Sequence, residues 1–475
     1  MTILRPKIKV LDEKHINSIL SEAKQILETL GVFVENEQAR ELLKNQGVNN
    51  EGFSFLIPSD LVEKCLLTVP SEIALYDREG KEHITLKDDN VHYDPGSAAI
   101  LILDENSGDT REATSNDFIR FSKIVGHLKY IEAQSTAFVY QDVPKEAQDW
   151  HRLFIALSNC HKPVITGTFR KESFSIMREL LLCCRLSEDD LARKPLAIFD
   201  ACPSPPLKWS DLTTQSLIDA AKSMIPSEFV SMPLAGASAP ITLIGSITQH
   251  CAECLAGVVI AQLAKPGAPL IWGGSPAILD MKYGTTPMGA IETMMINLGD
   301  VEMGKFLKMP THAYMGLSDS KVPDAQSGFE GGMGALLAGL AGVNVVSGPG
   351  MLDFESTQSV EKLIIDNEIV GMVKRLLRGV EDRGTPFALD ILKDYSETEE
   401  LLSHPSTLNL FRKELFIAGP IIDRMSRDAW NDSGANSARK RARIEAKKLD
   451  SKPTIKPIDD NLSKELELIT KTHLK

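Results

Sequence analysis

Pro195-Leu196-Ala197-Ile198-Phe199-Asp200-Ala201 is a short apolar run opened by a proline and interrupted by an aspartate near its end, and Pro269-Leu270-Ile271-Trp272-Gly273-Gly274-Ser275 repeats the design. Runs this short, bounded by turn residues, fit strands buried on both faces. Working outward, eight of them follow one another: Glu132–Tyr140, Pro163–Phe169, Pro195–Ala201, Glu228–Leu234, Pro269–Ser275, Thr311–Leu317, Asn344–Gly348 and Pro386–Leu392. Their starts lie roughly 30 to 40 residues apart, the span of a strand plus its crossover helix. Trp150, Leu153, Phe154 and Leu157 mark one intervening helix face, and Ile176, Leu180 and Leu181 the next. The clearest helix has Ser359 as N-cap, Glu361 in its first turn, Lys374, Arg375 and Arg378 in its last, and Gly379 as its stop. Eight alternating units predict an α/β fold, a (β/α)8 TIM barrel. An open doubly wound sheet is the alternative, and the lack of a Gly-rich dinucleotide fingerprint after the first strand weighs against it.

Ahead of the barrel, Ile16, Ile19, Leu20, Ala23, Ile26, Leu27 and Leu30 recur at three- and four-residue steps, with Gly31 as a stop, which predicts an amphipathic helix. Further short helices follow. Between Ser71 and Thr110 the runs Ile73–Tyr76 and Ala98–Leu103 and the turn signals Asp94-Pro95-Gly96 and Asn106-Ser107-Gly108-Asp109 predict a small β hairpin insertion. The chain therefore divides into an N-terminal region of helices and small sheet over 1–130, a barrel over 131–425, and a helical, partly basic C-terminal tail over 426–475. In that tail Arg439, Lys440, Arg441, Arg443, Lys447 and Lys448 face a lone Glu445, as a solvated helix face or as a docking strip for an acidic partner.

Of the 475 residues, 52 are Lys or Arg and 65 Asp or Glu, a net charge of −13. That balance disfavours nucleic acid and anionic membrane surfaces. Seven cysteines, sparse and odd in number, point to reduced thiols and a cytoplasmic setting. Met1–His15 lacks the pattern of a signal peptide. The longest apolar run, Cys251–Ala264, is broken by Glu253 and Gln262 and falls short of a membrane span. An acidic barrel of this size also fits a symmetric homo-oligomer.

In a barrel, chemistry collects where the strands end. That rule selects Tyr140, Phe169, Asp200, Gly236, Trp272–Ser275, Tyr314–Asp319 and Ser347–Phe354. Aromatic faces beside a carboxylate, Asp353 or Asp319, suit a quaternary ammonium through cation–π attraction, although any single aromatic is better explained by core packing. His250-Cys251-Ala252-Glu253-Cys254 has zinc-ligand residue types, but it sits in an apolar helical stretch without a distant partner pair, so no metal is expected. Neither a phosphate-binding loop nor a Gly-x-Ser-x-Gly elbow occurs.

One segment is diagnostic: Gly316-Leu317-Ser318-Asp319-Ser320-Lys321-Val322-Pro323-Asp324-Ala325-Gln326-Ser327-Gly328-Phe329-Glu330. It resembles the Asp-Ser-Lys-x-x-Asp-x-Gln-x-Gly-x-Glu segment of the trimethylamine methyltransferase family. The likeness extends through Gly348–Asp353 and Glu361–Glu368, and upstream through Ile26–Val32 and Tyr93–Ala98, nearly the whole chain. The resemblance implies a (β/α)8 barrel that moves a methyl group from a methylated amine to the cobalt of a corrinoid. That cob(I)alamin is presented by a separate corrinoid protein, with no cofactor bound permanently. The archaeal trimethylamine branch carries pyrrolysine, and none occurs here, so the chain looks like the branch that includes enzymes demethylating quaternary amines such as glycine betaine.

A quaternary nitrogen leaves as a neutral amine without a proton, so orientation is the main task of the protein. On that reading Tyr93, Trp272, Tyr314 and Phe354 are expected as ammonium-facing walls and Asp353 as the counter-charge. Ser347, Gly348 and Gly350 are expected to offer hydroxyl and N–H groups to a substrate carboxylate. Asp319, Gln326 and Glu330 carry the family segment, in contact with substrate or bracing their loop. Pro203–Trp209 is a candidate rim for the partner. Proline betaine, carnitine and γ-butyrobetaine are alternative substrates. Other readings are a hydrolase or lyase using Asp200, Asp319 or Glu330 with His312, and a betaine-binding protein without turnover.

Overall fold

The computed structural model describes residues 4–474. Its centre is eight parallel strands: β1 His92–Asp94, β2 Gln134–Ser135, β3 Val164–Thr166, β4 Ala197–Ala201, β5 Ser227–Phe229, β6 Leu270–Gly274, β7 Thr311–Ala313 and β8 Val345–Ser347. Each strand from β2 to β8 pairs with its sequence neighbour, and β8 returns to pair with β1. The N–H of Glu132 donates to the Tyr93 carbonyl at 2.8 Å and closes the ring between β1 and β2. One helix follows each strand: α1 Ser115–His127, α2 Gln148–Asn159, α3 Ser173–Cys183, α4 Asp211–Lys222, α5 Leu243–Ala264, α6 Ile291–Phe306, α7 Ala325–Ala341 and α8 Val360–Leu377. The fold is the (β/α)8 barrel that the alternating runs predict, with one strand differently placed.

Pro386–Leu392 is not a strand. The stretch lies beyond α8, and Leu389 already opens a helix that runs to Thr398. The remaining place in the ring belongs to β1, inside the stretch read as N-terminal region. His92-Tyr93-Asp94 before Pro95-Gly96 looks like a turn because its inward residue, Asp94, meets polar partners rather than an apolar core.

Strand alternation sorts the side chains. On β4, Ala197 and Phe199 point out to the helices while Ile198 points in. On β6, Leu270 and Trp272 point out and Ile271 points in. The lowest interior layer is apolar: Ala133, Ile165, Ile198, Ile271 and Val345 pack against Ile73, Leu75, Ile84 and Leu86. Those last four belong to the hairpin Ile73–Tyr76/Glu82–Leu86, which plugs the bottom of the barrel and leaves the top for function.

Helices Glu13–Thr29, Glu37–Asn45 and Ser59–Leu66 pack on α5. Sandwiched between them and the barrel, α5 is apolar all round, as a helix buried on every side must be, and 83% of its most apolar window is buried. Its polar side chains serve the fold. Glu253 accepts from the Leu207 N–H at 2.9 Å and from Gln249, and His250 Nε2 lies 2.9 Å from the Gly273 carbonyl. The tail helix Ala438–Asp450 is tied to α8 by Arg439 and Arg443, whose Nε atoms sit 2.8 and 2.7 Å from the two carboxylate oxygens of buried Glu361. The basic run is thus partly spent inside the chain, not on a solvated face.

Candidate active site at the barrel mouth

All eight strand ends contribute to a cavity of about 170 Å³. Ser97 and Ala98 follow β1, Thr136 β2, Gly167 and Phe169 β3, Cys202 β4, Val230 and Met232 β5, Ser275 β6, Tyr314 β7 and Glu355 β8, while Asp200 rises from within β4. A larger open cleft, about 510 Å³, lies beside Arg78, Arg185 and Leu462. Its Arg185 is spent on the carbonyls of Lys194, Arg78 and Asp77, and the cleft lies away from the strand ends where barrel chemistry collects.

Beneath the cavity runs a polar layer. Ser347 Oγ donates to Asp94 Oδ2 at 2.9 Å and lies 3.2 Å from His312 Nε2, which is 3.5 Å from Glu228 Oε1. Glu228 in turn faces Asp200. Gly273 supplies the β6 position, because a Cβ there would collide with His312. Burial holds Asp94 and Glu228 well above the usual carboxylate range, and their mutual repulsion with Asp200 adds to it. Burial also pushes His312 down to about 3. At neutral pH the layer therefore holds protonated acids and a neutral imidazole, with the Glu228 carboxyl turned toward Asp200. Neutral groups suit a floor better than an acid–base pair, and His312 does not line the cavity.

Two charged residues at the mouth stand out. Glu355 occupies the turn of a hairpin between Met351–Leu352 and Thr357–Gln358. Asp353, Phe354 and Glu355 all have left-handed backbones, with φ of 51°, 56° and 68°, each costing about 1–2 kcal/mol for a residue with a Cβ. The loop is held by the family segment. Asp353 N–H donates to the Ser320 carbonyl at 3.0 Å, Lys321 Nζ sits 3.2 Å from Asp353 Oδ1, and the same ammonium lies 3.8 Å from the Phe354 ring centre. Glu355 Oε1 is buried without a partner, and burial first, then Asp319, pushes its carboxyl up to about 8. Arg152, on α2, is 1% exposed. Its Nη1 donates to the Thr136 carbonyl at 3.0 Å, its Nε has no partner, and its guanidinium lies 4.4 Å over Phe169.

The remaining predicted residues fall in several places. Tyr314 lines the cavity, its ring 5.1 Å from His312 and its hydroxyl 3.4 Å from the Ser97 carbonyl. Tyr93 and Trp272 point outward instead. The Tyr93 hydroxyl donates to Ala335 on α7 at 2.8 Å, and Trp272 packs against His250 and Gly304; each lies one residue out of phase with the inward set. Ser347 is in the floor. Gly348 and Gly350 do not offer free N–H groups: these donate to the Asp94 carbonyl and to Asp366. Asp353 and Phe354 are both taken by Lys321, and the carboxyl of this loop that reaches the cavity is that of Glu355. Asp319 accepts from the Met288 and Gly289 N–H groups at 2.8 and 2.9 Å, and burial pushes it up to about 6. Glu330 accepts from Ser318, the Asp319 N–H and Gln326, so the three motif residues brace their loop. Pro203–Trp209 is no rim. Lys208–Trp209 pairs with Val32–Val34, and Trp209 is fully buried against Phe229.

Neither Arg152 nor Glu355 is among the residues the strand-end rule selects. Arg152 had a trace: Asp149 and Arg152 interrupt an apolar helix face in the first turns of α2, the part of a βα unit nearest the mouth. Glu355 lies one residue past the strand-end stretch.

Comparison with known proteins adds three findings. The family model for trimethylamine methyltransferase (MTTB) matches residues 2–473. The trimethylamine methyltransferase MttB of Desulfitobacterium hafniense (strain DSM 10664 / DCB-2) is 28% identical over 459 residues, 96% of this chain and 92% of its own length. The glycine betaine methyltransferase of Desulfitobacterium hafniense (strain Y51) is 28% identical over 429 residues, 90% of this chain and 89% of its own. Among solved structures, the monomethylamine methyltransferase of Methanosarcina barkeri superposes with a TM-score of 0.55 at 11% identity, covering 93% of this chain and 89% of that one, a likeness of fold.

Proposed function

Since the chain belongs to the trimethylamine methyltransferase family, we propose that it moves a methyl group from a quaternary amine, glycine betaine first, to the cob(I)alamin of a separate corrinoid protein in the cytoplasm. Methyl transfer from methylated amines is the activity its named relatives share. The observation that carries the finer reading is the wall of Glu355, Asp200 and Tyr314 in a cavity of about 170 Å³, a little larger than the roughly 150 Å³ that accepts benzene. Carboxylates and an aromatic face attract a permanent cation, and the size suits a small one.

Displacement needs little else from the chain. The methyl carbon bonds to the cobalt of the partner as the C–N bond breaks, and nitrogen keeps that electron pair and departs as a neutral tertiary amine. No proton moves. The work left to Tyr314, Glu355 and Asp200 is to hold the nitrogen so that one methyl faces the opening. Phe169 and Met232, lining the cavity yet each 46% exposed, give that opening an apolar edge for an incoming macrocycle.

The test is spectrophotometric. The chain, glycine betaine and photoreduced cob(I)alamin are mixed and conversion to methylcobalamin is followed, with trimethylamine in parallel. Conversion is expected with the betaine and not with trimethylamine. No conversion with glycine betaine, proline betaine, carnitine or γ-butyrobetaine overturns the reading.

A further inference from the structure

Arg152 is the basic residue of the cavity lining, the cation reading leaves it without a task, and it opposes that reading if the ligand is a cation alone. We propose that Arg152 binds an anionic group of the substrate, so that the cavity selects a zwitterion, a quaternary ammonium joined by a short linker to a carboxylate, over simple cations. The inference rests on the quaternary-amine reading and assigns to it the residue that decides between a betaine and a simple cation.

Three observations carry it. First, a guanidinium withdrawn from water needs partners for its N–H groups, and Arg152, 1% exposed, has one carbonyl acceptor and an unpartnered Nε. The acidic groups around it are Asp149, Asp200 and the Tyr140 hydroxyl. Asp149 Oδ2 accepts from the N–H groups of Phe169 and Arg170, Asp200 faces Glu228, and the Tyr140 hydroxyl is bonded to His151; Asp149 Oδ1 and Asp200 Oδ1 are themselves buried without a partner, so neither closes on the guanidinium. Second, the guanidinium is fixed in place by its bond to Thr136 and by stacking on Phe169, so it is preorganised to meet a planar carboxylate. Third, the cavity is bipolar. Thr136 and Phe169 follow β2 and β3, whereas Tyr314 and Glu355 follow β7 and β8. In a ring of eight, β3 and β7 stand opposite each other, so Phe169, on which the guanidinium stacks, faces Tyr314 across the space, while Asp200 on β4 lies on the Arg152 side. A cavity of about 170 Å³ leaves room for a linker of only one or two carbons.

Isothermal titration of the full chain with glycine betaine, choline and tetramethylammonium tests this. The wild type is expected to bind glycine betaine at least about 10-fold tighter than choline, which lacks the carboxylate. Arg152→Gln should lose about 10- to 100-fold for glycine betaine while tetramethylammonium affinity holds or rises, and Arg152→Lys should recover part of the loss. Glu355→Gln should weaken all three ligands. Equal wild-type affinity for glycine betaine and choline overturns the inference without needing any variant to fold. So does an Arg152→Gln protein of wild-type melting temperature that weakens the ligands equally. If none of the three binds the wild type, the quaternary-amine reading falls together with it.

Discussion

Raising the pH should tighten the grip of the cavity on a permanent cation, and Glu355 sets the size of the effect. Its carboxyl, with an ordinary value of 4.5, is pushed up to about 8 because burial disfavours the anion and Asp319 repels it. A group with a pKa of about 8 is about one-tenth ionised at pH 7 and about nine-tenths at pH 9. A quaternary ammonium keeps its charge throughout, so if it pairs with the ionised form its affinity rises about ninefold over that window, worth about 1.3 kcal/mol. Asp200, also raised by burial, adds in the same direction. The assay is titration calorimetry with glycine betaine at pH 6 to 9, run in phosphate and in Tris so that the difference in heat counts protons released on binding. Close to one proton per ligand is expected at pH 7, and Glu355→Gln should flatten the profile. Affinity that is level or falls from pH 7 to 9, or a variant that keeps the wild-type slope, refutes the reasoning. Stability carries the matching sign. A carboxyl raised on folding contributes stability that is fully present below about pH 4.5 and lost as the pH rises to about 8. The melting temperature of the ligand-free chain should therefore fall across this range, and saturating betaine should lessen the fall.

Two further substitutions separate site from scaffold. Tyr314→Ala should weaken betaine binding by about 0.5–2 kcal/mol while Tyr314→Phe keeps most of it, because the ring face rather than the hydroxyl meets the ammonium; calorimetry that ranks the two alike removes Tyr314 from the site. Trp272→Ala, outward-facing and fully buried, should instead cost about 3–5 kcal/mol in urea denaturation and leave the affinity of the folded fraction unchanged. Replacing both Arg439 and Arg443 by Ala strands Glu361, whose side chain is 1% exposed. The cost should be about 1–3 kcal/mol, below that of a fully buried pair because the arginine side chains are 28% and 34% exposed. Unchanged stability and unchanged resistance of the tail to trypsin would show that the clasp does not hold it.

Seven barrel strands were legible because burial on both faces leaves continuous apolar runs such as Leu196–Phe199, which no surface element tolerates. His92–Asp94 was not, since its inward residue is an acid sustained by Ser347 on the far side of the sequence, a partnership that only closure of the ring creates. The same limit governs the site. Strand-end counting reaches Asp200 and Tyr314, whose positions follow from alternation along β4 and β7. It assigns Tyr93 and Trp272 to the wrong face because strand phase is decided by one residue, and aromatic character says nothing about phase. Arg152 arrives from a helix and Glu355 from a strained turn, and neither position follows from strand periodicity. Asp319, Gln326 and Glu330 were visible as a motif, yet their bonds to Met288, Gly289 and Ser318 show a motif acting at one remove, by supporting the loop that carries Glu355.

The layering of the interior gives the charged mouth its physical sense. An apolar layer sealed by the hairpin excludes water from below, and the layer above it holds Asp94, Glu228 and His312 in their uncharged forms. Charge along the barrel axis is thereby confined to the top, on Arg152 and on the ionised fractions of Asp200 and Glu355, where low-dielectric walls make each charge count for more than it would in water. A floor of ionised carboxylates would attract an ammonium downward, away from the opening. On the proposed betaine reading, a neutral floor leaves the attraction with the walls and would hold the nitrogen at the level of Tyr314 and Glu355 with one methyl toward the rim of Phe169 and Met232. Protonation of the middle layer is, on this account, part of what fixes the depth of the substrate.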